Sequence, residues 1–161
     1  MLAESGVLVA LALIFSYIEH LITMPIPVPG VKLGLANLVS LTGLFFLSPI
    51  QVLLILVTRI ILAGFMFGNL STIIYSLAGG LLSFLVMILA KKIKAFSPLG
   101  VSILGGVFHN LGQLLIAMLV LKSNALIAYL PILIIIGSIS GTLIGIAAKA
   151  LCKYINKKSD L

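Results

Sequence analysis

Residues 99–121 read LGVSILGGVFHNLGQLLIAMLVL, a run without one Asp, Glu, Lys or Arg. The run is apolar on every face, as a helix solvated by lipid is, rather than along one stripe. It shows no sustained alternation of apolar and polar residues, so a transmembrane β-strand does not fit. The rest of the chain repeats the pattern. The protein has 161 residues, of which 62% are hydrophobic and 8% charged. A soluble domain would need more polar surface than that to keep its apolar groups from water.

Proline, glycine and lysine punctuate the apolar runs. Met24-Pro25-Ile26-Pro27-Val28-Pro29-Gly30 cannot continue a helix. Ser48-Pro49, Gly68-Asn69 and Ser97-Pro98 mark turns, with Pro49 suited to the first turn of the helix that follows. The spacing predicts helices over about Ser5–Met24, Lys32–Leu47, Pro49–Phe67, Ser71–Ala90, Leu99–Leu121 and Leu126–Cys152. The expected fold is therefore all-α: an integral membrane bundle of six transmembrane helices, with residues 1–161 forming a single transmembrane domain. The N-terminus has no basic region of the signal-peptide kind, so the first helix is read as retained.

The net charge of +7 gathers in two places, around Lys91, Lys92 and Lys94 and along Lys149, Lys153, Lys157 and Lys158. With six spans these positions share a side, which places both termini in the cytoplasm of a plasma-membrane protein. The excess reads as topology signal and contact with anionic lipid, not as a nucleic-acid footprint. The single cysteine, Cys152, forbids an internal disulfide.

An ionisable side chain at bilayer depth costs at least about 2.5–3.5 kcal/mol on insertion scales, so each one needs a reason. The candidates are Glu19, His20, Arg59 and His109. Helical spacing puts Ala12, Ser16, Glu19 and Thr23 on one face, Thr72, Ser76, Gly79 and Ser83 on another, and Ser102, Gly106, His109 and Gln113 on a third, with Asn110 adjoining. Gly34, Asn37 and Ser40 form a fainter stripe. A bundle turns such stripes inward. The result is a polar pocket opening outward under the proline-rich loop, with Asn37, Arg59, His109, Asn110 and Gln113 as pocket residues and Lys32 as a loop-side charge. Arg59 stays charged at any depth and needs a partner. Three partners compete: Glu19 in a structural pair, an anionic ligand, or the cytoplasmic interface. Glu19 is correspondingly the partner of Arg59 or a ligand contact. Replacing Arg59 by alanine separates these readings, because loss of ligand binding without unfolding points to the ligand.

Gly137, Gly141 and Gly145 repeat at four-residue spacing, which lets a second helix approach closely, from within the bundle or from a partner. Gly6 with Ala10 and Ala12 with Ser16 give the first helix a weaker face of the same kind. The three acids, Glu4, Glu19 and Asp160, lie far apart, so no carboxylate cluster for magnesium or another metal is expected. No phosphate-cradling glycine loop precedes a Lys-Ser or Lys-Thr, and no Ser/His/Asp set is present. The expectation is a protein that is not an enzyme by itself and that needs no cofactor.

The segments Pro29-Gly30-Val31-Lys32-Leu33-Gly34-Leu35-Ala36-Asn37-Leu38, Arg59, Ser76-Leu77-Ala78-Gly79-Gly80-Leu81-Leu82-Ser83 and Gly105-Gly106-Val107-Phe108-His109-Asn110-Leu111-Gly112-Gln113 together resemble one membrane family. It is heptaprenyl diphosphate synthase component I, also called the Gx transporter family. That family is similar in size and helix number to the substrate-binding S components of energy-coupling factor (ECF) importers. The resemblance implies capture of a small, anionic, partly apolar ligand (isoprenoid, quinone-precursor or flavin-like) from the outer face. It further implies docking on a transmembrane coupling protein with two ATPase subunits. The Ala-x-x-x-Ala motif common in the first helix of S components is not intact; the Gly6–Ala10 and Ala12–Ser16 pairs approximate it. The family's name implies an alternative, a non-catalytic membrane subunit of a prenyl diphosphate synthase.

Overall fold

A computed structural model describes residues 2–22, 34–93 and 96–159. Among them are six α-helices and no strand: α1 (Leu2–Leu21), α2 (Asn37–Phe46), α3 (Pro49–Phe67), α4 (Leu70–Lys92), α5 (Pro98–Leu121) and α6 (Leu130–Ser159). The proline-rich loop from Met24 to Gly30, together with Lys32 and Lys94, lies outside the described residues.

The breaks come from local chemistry. Ser48 caps α3 in a reciprocal box with Gln51, and Pro49 takes the first helical position, where its missing N–H costs nothing. Asn69 caps α4 through the Thr72 amide, and Ser97 caps α5 through that of Gly100. The last helix starts later than expected. Proline at 131 cannot accept the α-helical pattern from the residues before it. Asn124–Tyr129 therefore wind as a 3₁₀ turn, and α6 begins at Leu130.

The expectation of six spans needs correction. Five helices are long and apolar enough to cross a membrane, which makes this a multi-pass membrane chain by length and composition; α2 is the exception. Its 10 residues rise about 15 Å, half of the roughly 30 Å hydrocarbon layer. The reason is Gly34, whose φ of 75° turns the chain where a helix from Lys32 had been expected.

Contacts between particular residues fix the helix directions. Tyr17 stacks beside Phe67, ring centroids 5.0 Å apart, so α1 and α3 end together. Lys91, in the last turn of α4, donates to the Leu44 carbonyl at the end of α2. A Cβ on Gly112 of α5 would touch the Ala78 carbonyl of α4, and one on Gly105 would touch Met87, so α4 and α5 run antiparallel. Gly145 lies against Leu99 and Gly137 against Gly106 and Val107, so α5 and α6 do the same. The start of α1 and the end of α6 consequently share one end of the bundle, together with Lys91, Lys92, Lys149 and Lys153. The short α2 keeps this parity by running back toward that end.

The helix α2 is the hub. It packs against α1, α3, α4 and α6, and seven of its residues are buried. Leu41 and Leu44 join Val52, Leu56, Phe84 and Met87 in the main apolar core. Its ends carry opposite charges of the helpful sign. The Glu19 carboxylate sits at the N-terminal turn and the Lys91 ammonium at the C-terminal carbonyls, complementing the helix dipole. Lys91 also lies over the Phe45 ring at 5.3 Å. Lys91→Met is expected to cost about 1 kcal/mol, for one charge-assisted bond to a helix end. Detergent melting of this variant checks it, with Lys92→Met as the neutral control.

The large side chains outside this core, such as Leu54, Phe65, Leu85, Leu119 and Leu143, stand exposed on the bundle's outer surface. That is the arrangement of a protein whose solvent is hydrocarbon.

Candidate functional site

Five helices bring polar groups to one interior cavity of about 20 Å³. The helix α1 contributes Ser16 and Glu19, three residues apart and so on one face. Asn37 is the first residue of α2, and Arg59 comes from the middle of α3. Thr72 and Ser76 project from the first turns of α4, and His109 from the middle of α5. Glu19, Asn37, Arg59 and His109 are each between 5% and 7% exposed. The cavity has room for about one water molecule. It sits in the half of the bundle away from the two chain ends.

The contacts among these groups form a chain through α2. Glu19 Oε1 accepts the Leu35 N–H at 2.8 Å. The Asn37 backbone N–H donates to the Gly34 carbonyl at 2.8 Å, closing the turn that starts α2. Arg59 Nη2 donates to Asn37 Oδ1 at 3.2 Å. Glu19 attracts the guanidinium electrostatically, but the hydrogen bond of Arg59 goes to Asn37. Arg59 Nε and Ser16 Oγ are buried and have no hydrogen-bond partner among the described residues. Buried polar atoms are nearly always partnered, so two such atoms in residues lining one cavity make it the candidate site.

A second, smaller cavity of about 10 Å³ shares Gly34, Asn37 and His109 with the first and extends toward Ser102 and Ser140. Asn110 lines it and donates to the Leu133 carbonyl at 3.0 Å, tying α5 to α6. Gln113 lies in neither lining. It is fully buried against α4, where Gly79 leaves space for its Cγ. The structure thus gathers Glu19, Asn37, Arg59 and His109, holds Asn110 at the neighbouring cavity, and sets Gln113 in a helix contact. Lys32 is outside the described residues.

Ser16, Gly34, Thr72 and Ser76 also line the cavity, with Ile60, Ala63 and Gly64 of α3. The first four lay on the small and polar stripes without being expected as ligand residues.

The small residues divide in the same way. Gly137, Gly141 and Gly145 meet α5 backbone or Cβ atoms, with Gly141 Cβ positions reaching Ile103 Cα and the Ser102 carbonyl at 2.7 Å. Ala12 is buried with Val39 and Ile55. Gly6 and Ala10 are exposed. Gly6 borders an outward groove of about 510 Å³ between α1 and α3, with Val9, Gln51, Leu54 and Thr58.

The family model described as heptaprenyl diphosphate synthase component I matches residues 8–151. The chain belongs to that family. The match covers every residue of the polar cavity, from Ser16 in α1 to His109 in α5. No curated protein and no solved structure matches the chain. Heptaprenyl diphosphate synthase component I is by its description one part of a multi-subunit assembly, which implies protein partners for this member.

Proposed function

We propose that the protein is a membrane-embedded capture subunit whose interior cavity seats the anionic end of a small, partly apolar ligand, in the manner of an ECF S component. The observation that carries this reading is the buried Arg59 guanidinium. Its Nε is buried with no partner among the described residues, in a residue that lines the cavity with Ser16 and Ser76, while Asn37 holds its Nη2. A fixed cation with donors left over suits an anion, and arginine is suited to carboxylate or phosphate geometry.

The cavity is now water-sized, so a larger ligand enters only as the lining helices separate. The helix best placed to move is α1, which packs chiefly on α3 and buries the smallest share of its span. An isoprenoid, quinone-precursor or flavin-like body would then extend from the cavity toward the outer end. Both chain termini are cytoplasmic in this reading, because the lysine-rich end of a plasma-membrane bundle faces inward. Gly6 and Ala10 are the small residues left free for a transmembrane coupling protein, which would bring two ATPase subunits.

The family's description favours a second reading, a non-catalytic membrane subunit that supports a soluble prenyl diphosphate synthase. The two are separated by purifying the protein from its native membrane in mild detergent. Retention of a small molecule, lost when Arg59 is replaced, supports capture. Co-purification of a synthase whose activity the protein raises, with an empty cavity, supports the second reading.

A further inference from the structure

The cavity holds two opposed charges and no room for a third. Glu19 on α1 and Arg59 on α3 face it from different helices, and Glu19 attracts the guanidinium. The other titratable group in its lining is His109 of α5; α2 and α4 contribute Asn37, Thr72 and Ser76, which do not titrate. His20, next to Glu19, is exposed and leans on Phe67. An anion arriving on Arg59 would therefore share a water-sized cavity with the Glu19 carboxylate. In a low-dielectric interior two negative charges against one positive are strongly disfavoured.

We infer that the cavity takes a singly charged anionic group together with one proton, and that Glu19 carries the proton. This rests on the reading of the cavity as an anion seat. The bonding pattern permits it without disturbing the fold. A neutral carboxyl keeps a carbonyl oxygen, which can go on accepting the Leu35 N–H at the start of α2. Its new O–H becomes a donor that can turn toward the anion. Glu19 is thus converted from a repelling charge into a fourth donor beside Arg59, Ser16 and Ser76. The charge count also selects the ligand class. One guanidinium and one neutralised acid balance a monoanion such as a carboxylate or a halide. A diphosphate brings more charge than the described lining balances.

The test uses the whole protein in detergent with chloride and acetate as probes, titrated calorimetrically from pH 5.5 to 8.5. The expected result is that affinity falls as the pH rises, by up to about tenfold per pH unit, because one proton is bound with each anion. Weakly buffered samples should take up about one proton per anion bound on that limb. Glu19→Gln, which mimics the neutral acid, should bind with an affinity that does not change with pH. Arg59→Met in the Glu19→Gln background should bind neither probe. A wild type that binds anions with no pH slope overturns the proton linkage and leaves the anion seat standing. A slope that survives Glu19→Gln and disappears in His109→Gln overturns the assignment to Glu19. No binding of either probe, in the wild type or in Glu19→Gln at any pH, overturns the seat and the proposed function with it. Acetate binding without chloride binding identifies the group as a carboxylate of a larger ligand, and equal binding identifies a free inorganic anion.

Discussion

Gly112→Val separates α4 from α5 and lowers the stability of the bundle by more than about 3 kcal/mol, at the upper end of overpacking costs. A Cβ at residue 112 would stand 2.7 Å from the Ala78 carbonyl oxygen and 2.9 Å from Gly79 Cα. Both are backbone atoms, and no side chain can rotate to make room. The effect spreads because α5 is the shared wall of two contacts. Its other side meets α6 at equally close range, where Gly141 and Gly137 face Ile103 and Val107 Cα atoms. In a membrane, helices gain from such approach mainly through dispersion and weak Cα–H···O contacts, which vanish when the backbones part. Denaturation in mixed detergent micelles checks this prediction. Gly6→Ala, with nothing within 4 Å of its Cβ, is the control and should stay within about 0.5 kcal/mol of the wild type.

Arg59→Met costs about 3 kcal/mol, and adding Glu19→Gln restores most of it. Removing one member of a buried charge pair leaves the other uncompensated, which is more damaging than removing both. Here the pair acts through space and through α2: Arg59 holds Asn37, and Glu19 holds the turn at Leu35. The cycle of the two single variants and the double variant should give a coupling of at least about 1 kcal/mol. Additive losses would mean that Glu19 serves only α2 and that Arg59 is balanced elsewhere. The double variant matters for function, since it offers a folded bundle without the guanidinium.

Much of the bundle could be read from the chain. Ser48-Pro49, Gly68-Asn69 and Ser97-Pro98 announced three helix starts because capping is a local event, settled within four residues. Two features escaped. The extent of α2 depends on Gly34 adopting a positive φ, and a glycine beside apolar residues does not declare its backbone angle in advance. The 3₁₀ turn before α6 was announced by Pro131, whose effect reaches four residues back and was passed over in an apolar run.

The site was legible as stripes and illegible as contacts. Helical spacing turned Ser16, Glu19, Thr72, Ser76 and His109 inward. Spacing alone did not say which stripe met which. Gln113 and His109 share a face and both meet Gly79, because α4 approaches α5 closely at that level, yet only His109 lines the cavity. The bonding partner of Arg59 proved to be Asn37, a neutral residue 22 positions away in sequence. The three partners that the sequence offered for Arg59, which are Glu19, a ligand anion and the cytoplasmic interface, did not include it. Glu19 was already engaged with α2.

Native mass spectrometry of the protein purified from its own membrane in mild detergent shows whether Arg59 holds a ligand. The wild type and Glu19→Gln are expected to carry a small anionic compound of defined mass, and the folded Glu19→Gln/Arg59→Met variant none. The same compound held undiminished without the guanidinium, or a wild type that is empty and arrives with a soluble synthase attached, contradicts that expectation.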